Sequence, residues 1–235
     1  MNLILLTEDD FQQNDIVLLC DERAEHILNT IGVKIDDRLI VGLINNLLGH
    51  GIVIALTNTT VTLNVQLNSP APPALPLRLI LALPRPKVLR RTIAACSALG
   101  VKELILLNSY RVEKSYWGSP LLEPEQLTKH LKLGLEQSKD TVLPNIQLKK
   151  RFKPFVEDEL PLLLNETTAL VAHPYANSTC PKEPSGHITL AVGPEGGFIP
   201  YEINKLSEIG FHGITLGPRI LKVETAIPLL LGKLF

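Results

Sequence analysis

The chain has 235 residues, of which 45% are hydrophobic, and its formal net charge is −1. This length is enough for one large domain or two smaller ones. No apolar run approaches the ~18 residues of a membrane-spanning helix, and the start of the chain lacks the basic flank of a signal peptide. The three cysteines (Cys20, Cys96, Cys180) are odd in number and widely spaced, which argues against a disulfide or zinc framework and favours the cytoplasm.

The charges are distributed unevenly along the chain. Residues 1–76 carry 3 basic and 9 acidic side chains, residues 77–155 carry 15 and 6, and residues 156–235 carry 5 and 9. The net charge of +9 in the middle segment indicates a surface for a polyanion such as RNA. A set of solvated, lysine-rich helix faces is the alternative interpretation.

The first 67 residues alternate short apolar runs with turn signals, which predicts a small β-barrel. One short helix is expected at Glu22–Ile31. The expected strands are Leu3–Leu6, Asp15–Leu19, Arg38–Ile44, Gly51–Leu56 and Thr60–Leu67. The next segment, Ser69–Pro76, has four prolines in eight residues and reads as a semi-rigid linker at a domain boundary.

From Leu77 onward, strands alternate with helices, which predicts a parallel sheet covered on both faces. The expected strands are Leu77–Leu83, Glu103–Leu107, Ala169–Ala172, Ile188–Val192 and Ile214–Leu216. The expected helices are Pro86–Leu99, Pro124–Ser138, Pro200–Ile209 and Glu224–Phe235.

Several familiar sites are missing from the sequence. There is no Gly-x-Gly-x-x-Gly after a strand, no Gly-x4-Gly-Lys-Ser/Thr phosphate loop and no nucleophile elbow. The six histidines show no paired spacing that suits a metal, so we expect no metal site.

Two Gly-Pro segments follow expected strands: Val192-Gly-Pro-Glu-Gly-Gly-Phe and Leu216-Gly-Pro-Arg-Ile-Leu-Lys-Val-Glu-Thr-Ala. Glycine permits positive φ and a close approach by a ligand, whereas proline fixes φ and removes a donor. On neighbouring strands, two such loops would form a rigid wall of exposed backbone groups. Such a wall suits a ligand recognised by its shape and its polar edges. Turn formation alone is the alternative for either loop.

Taken together, these two segments resemble the RsmE family of small-subunit (16S) ribosomal RNA uridine-N3 methyltransferases, which belongs to the SPOUT class. Leu99-Gly100-Val101, Ser109-x-Arg111, Glu136-Gln137-Ser138 and His173-Pro174 support the resemblance. It implies an α/β fold: a PUA-like β-barrel (1–69) that contacts RNA or the ribosome, a linker (70–76), and a SPOUT domain (77–235) whose parallel sheet ends in a C-terminal trefoil knot.

The resemblance also implies S-adenosyl-L-methionine as the cofactor, bound in a bent shape within the knot. The cofactor-binding residues that it implies are Ala172, His173, Pro174, Gly193, Pro194, Glu195, Gly196, Gly197, Leu216, Gly217, Ile220 and Leu221. Gly196 and Gly197 would leave room where a side chain would clash.

The implied reaction is methyl transfer to uracil N3 in ribosomal RNA of the small subunit. Arg219 is the candidate for stabilising a developing uracil anion, and Glu224 for orienting Arg219 or moving the N3 proton. A helix N-terminal acid is the alternative for Glu224. Because N3 takes part in base pairing, the target base has to be unpaired. The class also implies a homodimer, for which the apolar last helix is suited; that helix is equally suited to a core.

The chain departs from the family pattern at Asn29, Gly32, Ala95, Ala98 and Asp140, in the parts expected to meet RNA. Two alternatives therefore stay open. One is a related methyltransferase with a different RNA target, and the other is a non-catalytic RNA- or ribosome-binding module.

Overall fold

A computed structural model describes residues 2–235, and its contacts divide the chain into two compact units. The first unit ends at Pro73 and also includes Lys132–Leu143. The second unit consists of Ala74–Leu131 and Pro144–Phe235. Within residues 2–235, no helix is both long and apolar enough to cross a membrane.

The first unit contains a six-stranded sheet with the order β1-β4-β5-β6-β3-β2. Its strands are β1 (Ile4–Leu6), β2 (Phe11–Gln13), β3 (Ile16–Leu19), β4 (Arg38–Leu43), β5 (Leu48–Leu56) and β6 (Val61–Ser69). The pair β1–β4 is parallel and the other pairs are antiparallel. Alternate residues of β3, β5 and β6 point into an apolar core that includes Val17, Val53 and Leu63.

Three of the departures from the family pattern (Asn29, Gly32 and Asp140) lie in the first unit, and the last two have local structural reasons. A helix over Glu22–His26 (α1) continues as a wider turn over Ile27–Ile31 and ends at Gly32, whose φ of +70° favours glycine. Asp140 is buried, and its carboxylate accepts a hydrogen bond from the backbone N–H of Val142 at 2.9 Å.

The second unit contains a seven-stranded, wholly parallel sheet with the order β11-β13-β10-β12-β7-β8-β9. Its strands are β7 (Leu77–Ala82), β8 (Glu103–Leu107), β9 (Asn145–Lys149), β10 (Thr167–Ala172), β11 (Ser178–Thr179), β12 (His187–Val192) and β13 (His212–Thr215). Nearly every residue of the central strands β7 and β12 is buried, as expected for strands covered on both faces. The predicted α/β fold with a parallel sheet is confirmed.

The remaining α-helices are α2 (Pro86–Ala98), α3 (Pro124–Ser138), α4 (Phe152–Pro154), α5 (Pro200–Glu208) and α6 (Val223–Leu234). Helices α2 and α5 each have proline in the first turn, where its missing N–H is no loss. The sequence analysis missed β2, β9, β11 and α4. All four have five residues or fewer, too short for a clear periodicity.

Candidate functional site

Three strands of the second unit end side by side and bring the predicted segments together. Strand β10 lies between β12 and β13. The two Gly-Pro loops follow β12 and β13, and His173-Pro174 follows β10. The sequence suggested that the two loops follow neighbouring strands. The structure shows instead that β10 separates the two strands. The carboxyl ends of parallel strands are a common place for a ligand.

A cavity of about 280 Å³ lies among these strand ends, near the lower limit of about 300 Å³ for ligand clefts. The predicted residues that line it are Ala172, His173, Pro174, Gly193, Pro194, Glu195, Gly196, Gly197, Leu216, Arg219, Ile220 and Leu221. Gly217 and Glu224 were also predicted but do not line it. Val223, Ala226 and Leu230 of α6 add apolar surface.

The first Gly-Pro loop is a tight turn that needs its glycines. The N–H of Gly197 donates to the carbonyl of Pro194 at 2.8 Å, and Gly197 has a φ of +71°. A Cβ on Gly193 would lie 2.9 Å from the backbone nitrogen of Phe198, which is too close for atoms of a fixed backbone. Gly193 is thus required by the close packing of the loop on itself.

Two arginines that the sequence analysis did not assign to the site hold this loop. The carboxylate of Glu195 accepts hydrogen bonds from the backbone N–H of Arg85 at 3.1 Å and from its Nε at 3.2 Å. The guanidinium of Arg111 donates to the carbonyl of Gly196 and also lines the cavity. The Ser-x-Arg motif at 109–111 was the available signal for Arg111, whereas Arg85 had none.

The second Gly-Pro loop carries backbone donors at two residues that line the cavity. Gly217 has a φ of +116°, and its N–H donates to Oγ1 of Thr215 at 3.2 Å. The hydroxyl of Thr215 in turn donates to the carbonyl of Gly217 at 3.1 Å. Within residues 2–235, the backbone N–H groups of Ile220 and Leu221 donate to no protein acceptor. They are therefore available to the polar edge of a ligand.

The two predicted catalytic residues differ in position. Arg219 is exposed and lines the cavity. Glu224 lies in the first turn of α6, and its Oε1 is 3.9 Å from Nη1 of Arg91. No ion pair between Glu224 and Arg219 occurs in the part of the chain that the structure describes, so the orienting contact considered from sequence is not present.

His173 lines the cavity in surroundings that disfavour the charged form of its ring. Partial burial lowers the pKa of His173 below its usual 6.5, because the charged form is less well solvated there. The backbone N–H of Tyr175 donates to Nδ1 at 3.3 Å, and the two rings meet edge to face with centroids 5.7 Å apart. The lowered pKa and the hydrogen bond that Nδ1 accepts both favour an uncharged imidazole at neutral pH.

Comparison with known proteins places this chain in a family. Residues 71–234, most of the chain, match the model of the RNA methyltransferase domain family. A relative from Mesomycoplasma hyopneumoniae, named "Ribosomal RNA small subunit methyltransferase E", is 32% identical over 66% of this chain and 67% of its own length. The chain belongs to the RsmE family of RNA methyltransferases. The resemblance found in the sequence is thus confirmed.

Other RsmE relatives match over nearly the whole chain. The protein of that name from Treponema pallidum is 27% identical over 96% of this chain and 87% of its own length. A second, from Borreliella burgdorferi, is 25% identical over 96% and 94% of the two chains. These matches therefore also include most of the residues before residue 71, where the match to the domain model begins.

Solved structures of similar fold point the same way. The crystal structure of a ribosomal RNA small subunit methyltransferase E from Neisseria gonorrhoeae, bound to S-adenosyl methionine, has a TM-score of 0.76 at 21% identity. It covers 99% of this chain and 95% of that one. A putative methyltransferase from Legionella pneumophila, in complex with the same cofactor, also has a TM-score of 0.76, at 22% identity, covering 99% of this chain and 96% of that one. At these identities the likeness establishes the shared fold.

Proposed function

We propose that this protein methylates N3 of a uridine in small-subunit (16S) ribosomal RNA, with S-adenosyl-L-methionine as the methyl donor. The observation that carries the proposal is the meeting of both Gly-Pro loops and His173-Pro174 around one cavity. Membership of the RsmE family and the names of its relatives support the substrate.

The residues of the cavity fit this cofactor. The space beside Gly193 could not hold a side chain, because a Cβ there would meet the backbone of Phe198. The free N–H groups of Ile220 and Leu221 suit the polar edge of an adenine. Val223, Ala226 and Leu230 supply apolar contact. The site residues predicted from sequence, apart from Gly217 and Glu224, are therefore proposed to hold the cofactor or to face it.

When bound, S-adenosyl-L-methionine supplies an electrophilic methyl group. The chain's own contribution is to hold the target base in line and to stabilise the charge that develops on it. Arg219 is proposed for the second task, since it is exposed at the cavity wall and always carries a positive charge. Glu224 is proposed as a positioning residue that acts through its helix and not through Arg219.

The finer architecture is also proposed from the family. The first 69 residues would form a PUA-like β-barrel that contacts RNA or the ribosome, 70–76 a linker, and 77–235 a SPOUT domain with a C-terminal trefoil knot. A cytoplasmic homodimer completes this proposal. Its support is that Leu229 and Phe235 of the last helix are exposed, whereas Ile227, Leu230 and Leu234 are buried.

The deciding experiment maps N3-methyluridine in ribosomal RNA from cells with and without this protein. Loss of one modified uridine from the small subunit, restored by the purified protein with S-adenosyl-L-methionine, is the expected result. An unchanged map contradicts the proposal. A methyl group lost from another RNA identifies a related enzyme with a different target, and no change in any RNA identifies a binding module.

Arg219→Ala tests whether the positive charge of Arg219 stabilises the charge that develops on the target base. We expect calorimetry to show retained cofactor binding while turnover falls about 100-fold or more, as for removal of one group that stabilises the transition state. Lys182→Ala is the matched control, since Lys182 is exposed, belongs to neither loop and does not line the cavity. Full turnover by Arg219→Ala would remove Arg219 from the mechanism.

A further inference from the structure

A second cavity, of about 540 Å³, lies in the same unit as the first. It is built from three segments: 108–117 after β8, 150–153 after β9, and 199–202 at the start of α5. We call it the lysine–aromatic cavity, and we infer that it binds one nucleotide of single-stranded RNA. This inference rests on the proposed function only for the kind of substrate.

An unpartnered hydroxyl in this cavity points to a ligand. Ser109 is 3% exposed and lines the cavity, and its Oγ has no hydrogen-bond partner. It is the only buried side-chain nitrogen or oxygen atom within residues 2–235 in that condition. Because a buried polar group is costly to leave unpaired, native proteins rarely do so away from functional sites.

Three other polar side chains of the lining, those of Asn108, Trp117 and Glu202, have partners within the protein. The indole N–H of Trp117 donates to Oδ1 of Asn108 at 2.8 Å. The carboxylate of Glu202 accepts hydrogen bonds from the backbone N–H groups of Tyr110 at 2.7 Å and Ile199 at 3.0 Å. The buried hydroxyl of Ser109 has no such partner and is therefore free to bind a ligand.

The remaining lining has the chemistry of a nucleotide site. Four aromatic side chains line the cavity: Tyr110, Trp117, Phe152 and Tyr201. Tyr110 is 79% exposed and Tyr201 is 47% exposed. Bases of single-stranded nucleic acids stack on such side chains with little regard to sequence.

Charge favours a phosphate at the rim of this cavity. Lys114, Lys150 and Lys153 all line it and are exposed. Glu202 is the one carboxylate among the lining residues, and it is buried and bonded to two backbone amides. Lysines placed in this way attract a nucleic-acid backbone.

The lysine–aromatic cavity lies close to the first cavity, which we call the cofactor cavity because it is proposed to hold S-adenosyl-L-methionine. Arg111 lines the cofactor cavity, whereas Tyr110 and Val112 on either side of it line the lysine–aromatic cavity. The rings of Phe152 and Phe198, which line one cavity each, have centroids 6.4 Å apart. The nucleotide in the lysine–aromatic cavity is therefore a neighbour of the target uridine and not the target itself.

Trp117 makes the inference directly testable, because it is the only tryptophan in the chain. The probe is a pentamer of uridylate, added to the full-length protein while tryptophan emission is recorded. We expect a saturable change in emission with the pentamer and none with S-adenosyl-L-methionine alone. Unchanged emission at pentamer concentrations that saturate binding by calorimetry, or no binding at all, overturns the inference.

Two substitutions sharpen the test. Ser109→Ala removes a hydroxyl that has no partner in the free protein, so the melting temperature should not fall, while pentamer affinity should fall about fivefold. Lys150→Ala should weaken binding and lower the slope of log affinity against log salt by about 1. Lys182 lies outside both cavities, so Lys182→Ala should change neither the affinity for the pentamer nor its dependence on salt. Unaltered pentamer affinity in both of the first two variants contradicts the inference.

Failure of the proposed function would look different. A response of Trp117 to RNA without any N3-methyluridine would refute the methyl transfer alone. Normal methylation, with no change in the emission of Trp117 when the pentamer binds, would refute only the inference that the lysine–aromatic cavity binds a nucleotide.

Discussion

The carboxylate of Glu202 accepts a hydrogen bond from the backbone N–H of Tyr110, 92 residues earlier in the chain, at 2.7 Å. Its other oxygen accepts the N–H of Ile199 at 3.0 Å, at the start of α5. Glu202 is 2% exposed. One buried carboxylate thus joins the loop after β8 to the helix that follows the first Gly-Pro loop.

This relationship predicts a large cost for removing the carboxylate. Glu202→Ala leaves two backbone N–H groups without an acceptor, and each buried orphan costs about 1–3 kcal/mol. We expect the free energy of unfolding in urea to fall by at least about 2 kcal/mol. Glu208→Ala is the control, because Glu208 pairs with Lys205 at the surface, where such pairs contribute about 1 kcal/mol or less. Equal losses in both variants would contradict this account.

A second prediction concerns acid stability of the first unit. Burial alone would raise the pKa of Asp10, but hydrogen bonds from Arg23 and Thr7 outweigh it and hold that pKa below its usual 3.8. Because the folded protein binds this proton less readily than the unfolded chain, Asp10 stabilises the fold above pH ~3.8, and this stabilisation is lost as the pH falls through its lowered pKa.

Asp10→Asn tests this titration. The variant should be less stable than the parent at pH 7, by about 2 kcal/mol, since it removes the charge of a carboxylate that accepts hydrogen bonds from Arg23, the shortest at 2.6 Å. The difference between the two proteins should shrink below pH 4 in urea unfolding. A difference that stays constant down to pH 2 would show that the charge of Asp10 is not responsible.

Thiol reactivity supplies a third prediction. Burial raises the pKa of Cys96 to about 12, and it also raises the pKa of Cys180, while Cys20 is exposed. Since the thiolate is the reactive form, iodoacetamide at pH 8 should alkylate Cys20 alone in the native protein. Peptide mass mapping reads the result, and urea-unfolded protein, in which all three should react, is the control. Rapid labelling of Cys96 in the native state would contradict its burial.

Most of the site residues expected from the sequence line one cavity, because each stands in a short local motif at the end of a strand. Each Gly-Pro loop follows an apolar run, and the carboxyl ends of parallel strands meet at one edge of a sheet. What the sequence did not reveal is that β10 lies between β12 and β13, since strand order depends on contacts between distant segments.

Glu202 shows the same limit in a side chain. Its sequence position indicates only an acid in the first turn of a helix, which is normally a solvated group. It is buried because the N–H of Tyr110 reaches it from another part of the chain. For the same reason, no local pattern marked Arg85, whose contact with Glu195 depends on what the fold brings near it.

A matched pair of glycines supplies the last prediction. Gly193→Ala would put a Cβ 2.9 Å from the backbone nitrogen of Phe198, whereas Gly232→Ala, in α6, meets nothing within 4 Å. We expect Gly193→Ala to lower the melting temperature and to abolish calorimetric binding of S-adenosyl-L-methionine, because the first loop has to move. Gly232→Ala should keep binding and gain up to about 1 kcal/mol in stability, since alanine favours a helix interior. Normal binding by Gly193→Ala would show that this loop does not shape the cofactor site.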